Sequence, residues 1–210
     1  QAVRLWLLLT VELSAEPFLG WLDTLFATAD LAELILLYRG LPLYPDPERF
    51  RLRAAEGIRS SMRVVFEAVA LRNPYPVEQL SEEAWNQMVL KALFLESSLH
   101  DIVGLDRRRN AGLARMLHDF AHERWSAGRP VSHELWRCVG PFITGDRLQD
   151  LERVLNSDNL YQRQAAALAL ASSPDPRARQ LLSSTPTLSK AVSTRTVTWQ
   201  SLTAATELTS

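Results

Sequence analysis

Histidine and carboxylate side chains occur at metal-binding spacing in the segment 111–127. His118 and His122 are four residues apart, and Asp119 directly follows the first of them. Histidines at positions i and i+4 lie on one face of a helix and can share a divalent ion. A metal-dependent hydrolase or isomerase using His118, Asp119 and His122 is therefore one alternative function. Because the HExxH order is absent and the other histidines and aspartates have no characteristic pairing, we expect no metal and no cofactor.

A lysine within an apolar helix is the second group that points to chemistry. The run 81–96 predicts a helix that starts with Ser81 as N-cap and is apolar on nearly all sides, which is typical of a buried helix. It contains Asn86 and Lys91, and Lys91 and Lys190 are the two lysines among 23 basic residues. A buried lysine requires a polar partner. Counting positions at about 100° per residue makes Glu123 and Asp106 the expected partners, with Arg124 close by.

These residues predict one polar cluster, which is either a ligand pocket or an internal brace. Its members are Asn86, Lys91, Asp106, Arg107, Glu123 and Arg124. The stretch 106–110 adds three arginines in front of a helix that Asn110 can cap, so it is suited to a carboxylate or phosphate. Equally, Asp106 can pair with Lys91 or with an arginine and fix the loop. Both interpretations remain open from the sequence.

The elements that position the cluster are all predicted to be helices. Apolar residues recur at helical spacing, and Pro, Gly and capping residues separate the runs. The predicted helices cover residues 3–13, 18–38, 47–71, 81–96, 111–127, 132–142, 148–155 and 161–171, with another starting after Asp175. The alanine-rich run 163–170 is typical of the second helix of a HEAT-like repeat.

We therefore expect an all-α fold of stacked helical hairpins, a compact HEAT-like α-solenoid. A single domain would span residues 1–183, with the HEAT-like unit at 146–183. Residues 184–210 would form a Ser/Thr-rich extension in which Thr198 can cap a final helix.

Composition excludes several classes of function. The formal net charge is −1, so nothing global attracts nucleic acid or anionic lipid. A helical-repeat nucleic-acid-binding protein, suggested by the arginines of 47–71 and by six tryptophans, is nevertheless a second alternative. A single cysteine, Cys138, excludes an internal disulfide, and no GxSxG elbow is present. The apolar run 5–9 is too short to span a bilayer, so we expect no transmembrane segment and a cytoplasmic protein.

Several segments together resemble one family. They are EEAWNQMVLKALF, IVGLDRR, LARML, AHERWSAGRPVSHELWRCVGPF and RQAAALAL, which span roughly residues 75–182. They resemble the EboA family, helical proteins of bacterial gene clusters that are associated with trafficking of a metabolite precursor out of the cytoplasm. The resemblance adds His122 and Trp136 to the cluster and implies no catalytic residues.

The function that the resemblance implies is that of a non-enzymatic accessory or binding protein in traffic of a secondary-metabolite precursor. Its partners would be a small-molecule metabolite or other proteins of the same gene cluster, and no nucleic acid.

Overall fold

The computed structural model describes residues 15–207, and every element in that range is an α-helix or a short 3-10 helix, without strands. The predicted all-α class is therefore confirmed. The helix predicted over 3–13 lies outside the described residues. The α-helices are α1 (Ala15–Thr28), α2 (Leu31–Gly40), α3 (Arg51–Arg59), α4 (Arg63–Ala70), α5 (Tyr75–Gln79), α6 (Glu82–Phe94), α7 (Ala111–Ser126), α8 (Leu135–Val139), α9 (Leu148–Leu155), α10 (Leu160–Ser172), α11 (Pro176–Ser183), α12 (Pro186–Ser193) and α13 (Trp199–Glu207).

The described residues form two compact units. Unit 1 contains the residues up to Ser97 together with Asp101–Gly104, and unit 2 contains Ser98–His100 and the residues from Leu105 onward. The expectation of a single domain over 1–183 stays a prediction. Between residues 15 and 207, no helix has both the length and the apolar character needed to cross a bilayer.

Unit 1 is centred on the packing of α2, α3 and α4. The closest approach is at Gly57, where an added Cβ would lie 2.6 Å from Val69 Cγ2 and 2.8 Å from Tyr38 Cε1. Only glycine lets α3 come this near to its neighbours, because any side chain would overlap with them. Phe66 and Val69 are fully buried beside this contact.

The predictions of two long helices in unit 1 are wrong, because each of these segments is divided in the structure. The predicted helix 18–38 is interrupted before α2, where Asp30 accepts a hydrogen bond from the Glu33 amide and the Glu33 side chain accepts one from Asp30. This capping box starts a new helix. The predicted helix 47–71 begins as a 3-10 turn. At Ser60 its backbone becomes extended, with ψ at 138°, before α4 begins. The pair Asp46-Pro47 predicts a cap and a first-turn proline for this helix, but Asp46 makes no capping hydrogen bond and has φ at 50°.

The predicted helix 81–96 is observed as α6, and Ser81 caps it by accepting a hydrogen bond from the Ala84 amide. Trp85, Met88 and Val89 are fully buried. The expectation that the helix is buried on nearly all sides is wrong, however, because Phe94 is 68% exposed. Phe94 occupies the last turn, where the helix ends and the chain turns away.

Unit 2 is organised around α10, which contacts α8, α9, α11, α12 and α13. Its alanines permit these close contacts: a Cβ on Gly140 would lie 2.7 Å from Ala169 Cα. Asn159 and Asp175 cap α10 and α11 by accepting hydrogen bonds from amides of the first turn. The helix α12 was not predicted, and α13 follows Thr198, whose hydroxyl accepts a hydrogen bond from the Ser201 amide.

Candidate functional site

The predicted polar cluster is divided between the two units. Asn86 and Lys91 belong to unit 1, and the other members belong to unit 2. The Lys91 ammonium group donates to the carbonyls of Ile58, at 2.5 Å, and Ser60, at 2.8 Å. It also lies 5.2 Å from the centre of the Phe66 ring.

The expected pairing of Lys91 with a carboxylate is therefore wrong. The carbonyls at the end of α3 lack helical partners, and a cation is favoured at this end of a helix dipole. Lys91 thus caps α3, and partial burial lowers its pKa from the ordinary lysine value. Its hydrogen bonds link α6 to the end of α3 within unit 1.

Asp106 belongs to a guanidinium network within unit 2. Arg137 donates to both of its carboxylate oxygens, Nε to Oδ1 at 2.8 Å and Nη2 to Oδ2 at 2.7 Å. Arg109 Nη1 lies 3.5 Å from Oδ1 and donates to the Arg137 carbonyl. Burial acts to raise the pKa of Asp106, but the hydrogen bonds and charge of Arg137 outweigh it and leave the pKa lowered. Of the two open interpretations, pairing of Asp106 with an arginine is the one observed.

Glu134 is a buried acid that sequence reasoning missed. It is 9% exposed, and its carboxylate accepts hydrogen bonds from the amides of Leu99 and His100 and from the Ser98 hydroxyl. These donors satisfy both oxygens, so Glu134 holds the start of a 3-10 turn rather than a ligand. The sequence carries no local signal for this contact, because the partners are more than 30 residues apart.

The remaining predicted residues of unit 2 do not converge on one point. Arg107 and Glu123 are exposed to solvent. Arg124 Nε donates to the carbonyl of Pro130 at 2.9 Å. Trp136 is fully buried, its indole Nε1 has no hydrogen-bond partner in the described part of the chain, and its ring stacks on that of Trp125. In unit 1, Asn86 is buried.

His118 and His122 do come together, but with a partner other than Asp119. The Nε2 atoms of His118 and His122 lie 2.6 Å and 2.9 Å from the same oxygen, Oδ2 of Asp150 on α9. Asp119 is 78% exposed, and its Oδ1 lies 3.8 Å from His118 Nδ1. The prediction that Asp119 completes the group is therefore wrong, because its side chain is directed to solvent.

The orientation of α7 explains this result. The sequence predicts a core face that includes Met116 and Phe120, with His118 on the opposite side. The buried residues of α7 are instead Leu113, Ala114, Leu117, His118 and Ala121. Alanines carry little hydrophobic weight in a helical-wheel count, yet their size allows other helices to approach closely. The helix is rotated accordingly, and His118 becomes part of its buried face.

Two cavities open beside this group in unit 2. One, of about 370 Å³, is lined by His118 together with Arg115 and Arg147. The other, of about 450 Å³, is lined by Trp125, Arg153 and a series of polar residues from the turn 156–159 and from α10. The Trp125 ring also meets the His122 ring edge-on, with 5.3 Å between centres.

The larger cavity carries a cation held in a defined position. The Arg153 guanidinium lies 4.3 Å from the centre of the Trp125 ring, a cation–π contact. In the part of the chain that the structure describes, no carboxylate lies within ion-pairing distance of Arg153. Its N–H donors are therefore available to an anion.

Comparison with known proteins gives one result. A family model described as metabolite traffic protein EboA matches residues 1–140. This confirms the resemblance, but the match includes the residues before position 75 and does not include RQAAALAL at 163–170. Asp150 and Arg153 lie outside it. No curated protein and no solved structure matches the chain.

Proposed function

The chain belongs to the EboA family of metabolite traffic proteins, and we propose that its own part in that traffic is to bind a small anionic metabolite without transforming it. The binding site is the cavity lined by Trp125 and Arg153. The observation that carries the proposal is the Arg153 guanidinium, which is stacked on an aromatic ring at 4.3 Å and has no carboxylate partner among residues 15–207.

The chemistry of Arg153 defines the class of ligand. A guanidinium presents several N–H donors in a plane and pairs with carboxylates or phosphates in a bidentate manner. Stacking on Trp125 limits its motion, which reduces the entropy lost when a ligand binds. The ligand is therefore expected to carry a carboxylate or phosphate group.

The size and lining of the cavity support a small molecule. Its volume of about 450 Å³ falls within the range of small-molecule sites, which is roughly 300–1,000 Å³. Trp125, Pro130, Val131 and Val154 supply apolar surface, while the 156–162 segment supplies hydroxyl, amide and carboxylate groups. The apolar part suits a hydrocarbon or aromatic body, and the polar part suits its substituents.

The same proposal includes the HEAT-like architecture, the partners and the place of action. The contact between α9 and α10, joined by a short capped turn, supports a HEAT-like hairpin within a stacked solenoid. Partners would be the metabolite and other proteins of the same gene cluster, and the place of action would be the cytoplasm. The absence of a membrane-crossing helix between residues 15 and 207 is compatible with this.

Calorimetric titration with two probes tests the proposal. The probes are phenyl phosphate and indole-3-acetate, with uncharged indole as the comparison ligand. The wild-type chain is expected to bind both anions more tightly than indole. Arg153→Met should weaken the binding of both anions at least tenfold, about 1.4 kcal/mol, because it removes the charge and the donors.

Arg179→Met is the matched control, because Arg179 is an exposed arginine of unit 2 that does not line the cavity. Equal affinities for the Arg153→Met and Arg179→Met variants, or no binding of either anion to the wild type, would refute the proposed site. Release of phenol from phenyl phosphate would instead favour the hydrolase alternative.

A further inference from the structure

Three side chains of unit 2 direct ligand atoms at one point. His118, His122 and Asp150 each offer one ligand atom, and these three atoms lie within 4.8 Å of one another. The two histidines are one helical turn apart on α7, and their ring centres are separated by 4.6 Å. Asp150 comes from the separate helix α9, so the arrangement depends on the packing of unit 2.

Asp150 has two histidine partners and no lysine or arginine partner among the described residues. The Asp150 side chain is only 16% exposed, yet no lysine or arginine of the described chain lies within ion-pairing distance of it. Other acids of the same unit differ in this respect: Asp106 pairs with Arg137, and Asp175 pairs with Arg177. A largely buried carboxylate beside two imidazole nitrogens is a favourable environment for a metal cation.

From this geometry we infer that His118, His122 and Asp150 form a binding site for a divalent transition-metal ion of the Zn²⁺ type. Two imidazole nitrogens and one carboxylate oxygen are a ligand set that Zn²⁺ uses where a further coordination position stays open. Mg²⁺ and Ca²⁺ prefer sites made of oxygen atoms, so they fit this set less well.

The spacing of the ligand atoms is close to what the ion requires. With bonds of about 2.0–2.1 Å, neighbouring ligand atoms in a tetrahedral shell are about 3.3 Å apart. The observed contacts to Asp150 Oδ2 are 2.6 Å and 2.9 Å. Side-chain rotations that open these contacts by roughly half an ångström admit the ion.

Access also favours the site. The His122 side chain is 51% exposed, which provides an entry path from solvent.

The site extends beyond the proposed anion binding and uses different residues. Arg153 and Trp125 hold the anion, whereas His118, His122 and Asp150 hold the metal. If the chain binds only the anion or only the metal, the result therefore identifies which proposal has failed.

The test is to titrate the chelator-stripped full chain with Zn²⁺. Binding is measured by calorimetry and by competition with a chromophoric chelator. We expect one Zn²⁺ per chain. Co²⁺ should give the visible absorption bands of a low-symmetry site containing nitrogen ligands. His122→Gln should reduce Zn²⁺ affinity at least tenfold, and because His122 is half-exposed this variant is expected to keep the fold.

Asp150→Asn should have a similar effect, whereas Asp119→Asn, the matched exposed carboxylate, should leave the affinity within about threefold of wild type. Circular dichroism of each variant establishes that the fold is kept. Two results would overturn the inference: no stoichiometric Zn²⁺ in the wild type, or equal Zn²⁺ affinity in the wild type and in His122→Gln. In either case the group would be a hydrogen-bonded link between α7 and α9.

Discussion

The contact of Gly140 with α10 leads to a quantitative prediction for Gly140→Ala. A Cβ at this position would lie 2.7 Å from Ala169 Cα and 2.8 Å from the Ala169 carbonyl oxygen. Both are backbone atoms, so no side-chain rotation can relieve the overlap. The 3-10 turn Gly140–Phe142 and α10 must therefore move apart around the new methyl group.

The size of the effect is set by two opposing contributions. Overpacking of a closely packed core costs about 1–3 kcal/mol. Gly140 has φ −46° and ψ −50°, which alanine adopts readily, so replacing glycine restores about 0.4–1 kcal/mol through the unfolded state. The net loss of unfolding free energy is expected to be about 1–2 kcal/mol. For a chain of this size it corresponds to a melting temperature lower by roughly 2–8 °C.

Thermal and urea unfolding, monitored by circular dichroism, measure this loss of unfolding free energy. Gly20→Ala is the matched control, since Gly20 lies in α1 and no described atom outside its own helix backbone and chain neighbours lies within 4 Å of its added Cβ. That variant should be as stable as wild type or more stable, by about 0.5–1 kcal/mol. If Gly140→Ala were as stable as Gly20→Ala, the close contact with α10 would be refuted.

Two further substitutions test the hydrogen bonds of Lys91 and the ion pair of Asp106. Lys91→Met should lower the unfolding free energy by about 1–2 kcal/mol, because the carbonyls of Ile58 and Ser60 lose a charged donor; an unchanged melting temperature would contradict the capping role. Asp106→Asn should be less stable at neutral pH by about 0.5–1 kcal/mol, a value reduced by the half-exposure of the carboxylate. Since the pKa of Asp106 is lowered in the folded state, its contribution is present above the unfolded value of about 4 and is lost as the pH falls through the folded value. Urea unfolding across this pH range should therefore show the two proteins converging in acid, and a constant difference would argue against the ion pair.

Local features of the fold were predictable from the sequence. Ser81, Asn110, Asn159 and Asp175 each cap the helix that follows, because an Asn, Asp or Ser side chain can accept hydrogen bonds from the free amides of the first turn. The helix break at Asp30 was also encoded locally, in the spacing of Asp30 and Glu33, but the apolar periodicity on either side concealed it.

The candidate site depended on tertiary contacts and was less predictable. The spacing of His118 and His122 identified a shared helix face, but Asp150 is 32 residues from His118 in sequence and only folding brings them together. Likewise, the sequence marked Lys91 as needing a partner without indicating that the partner would be the end of α3. Backbone carbonyls carry no sequence signature, so the sequence favours the acidic side chains of Glu123 and Asp106 as partners instead.

The most direct test of the proposed function is an amide nitrogen–proton NMR spectrum of the full chain, titrated with phenyl phosphate. If the cavity beside Arg153 binds anions, the resonances that shift will be those of the Trp125 indole and of the amides from 153 to 162, and Arg153→Met will abolish the shifts. Shifts centred instead on Lys91 or Asp106, or equal shifts in Arg153→Met, would contradict the assignment of this cavity as the binding site.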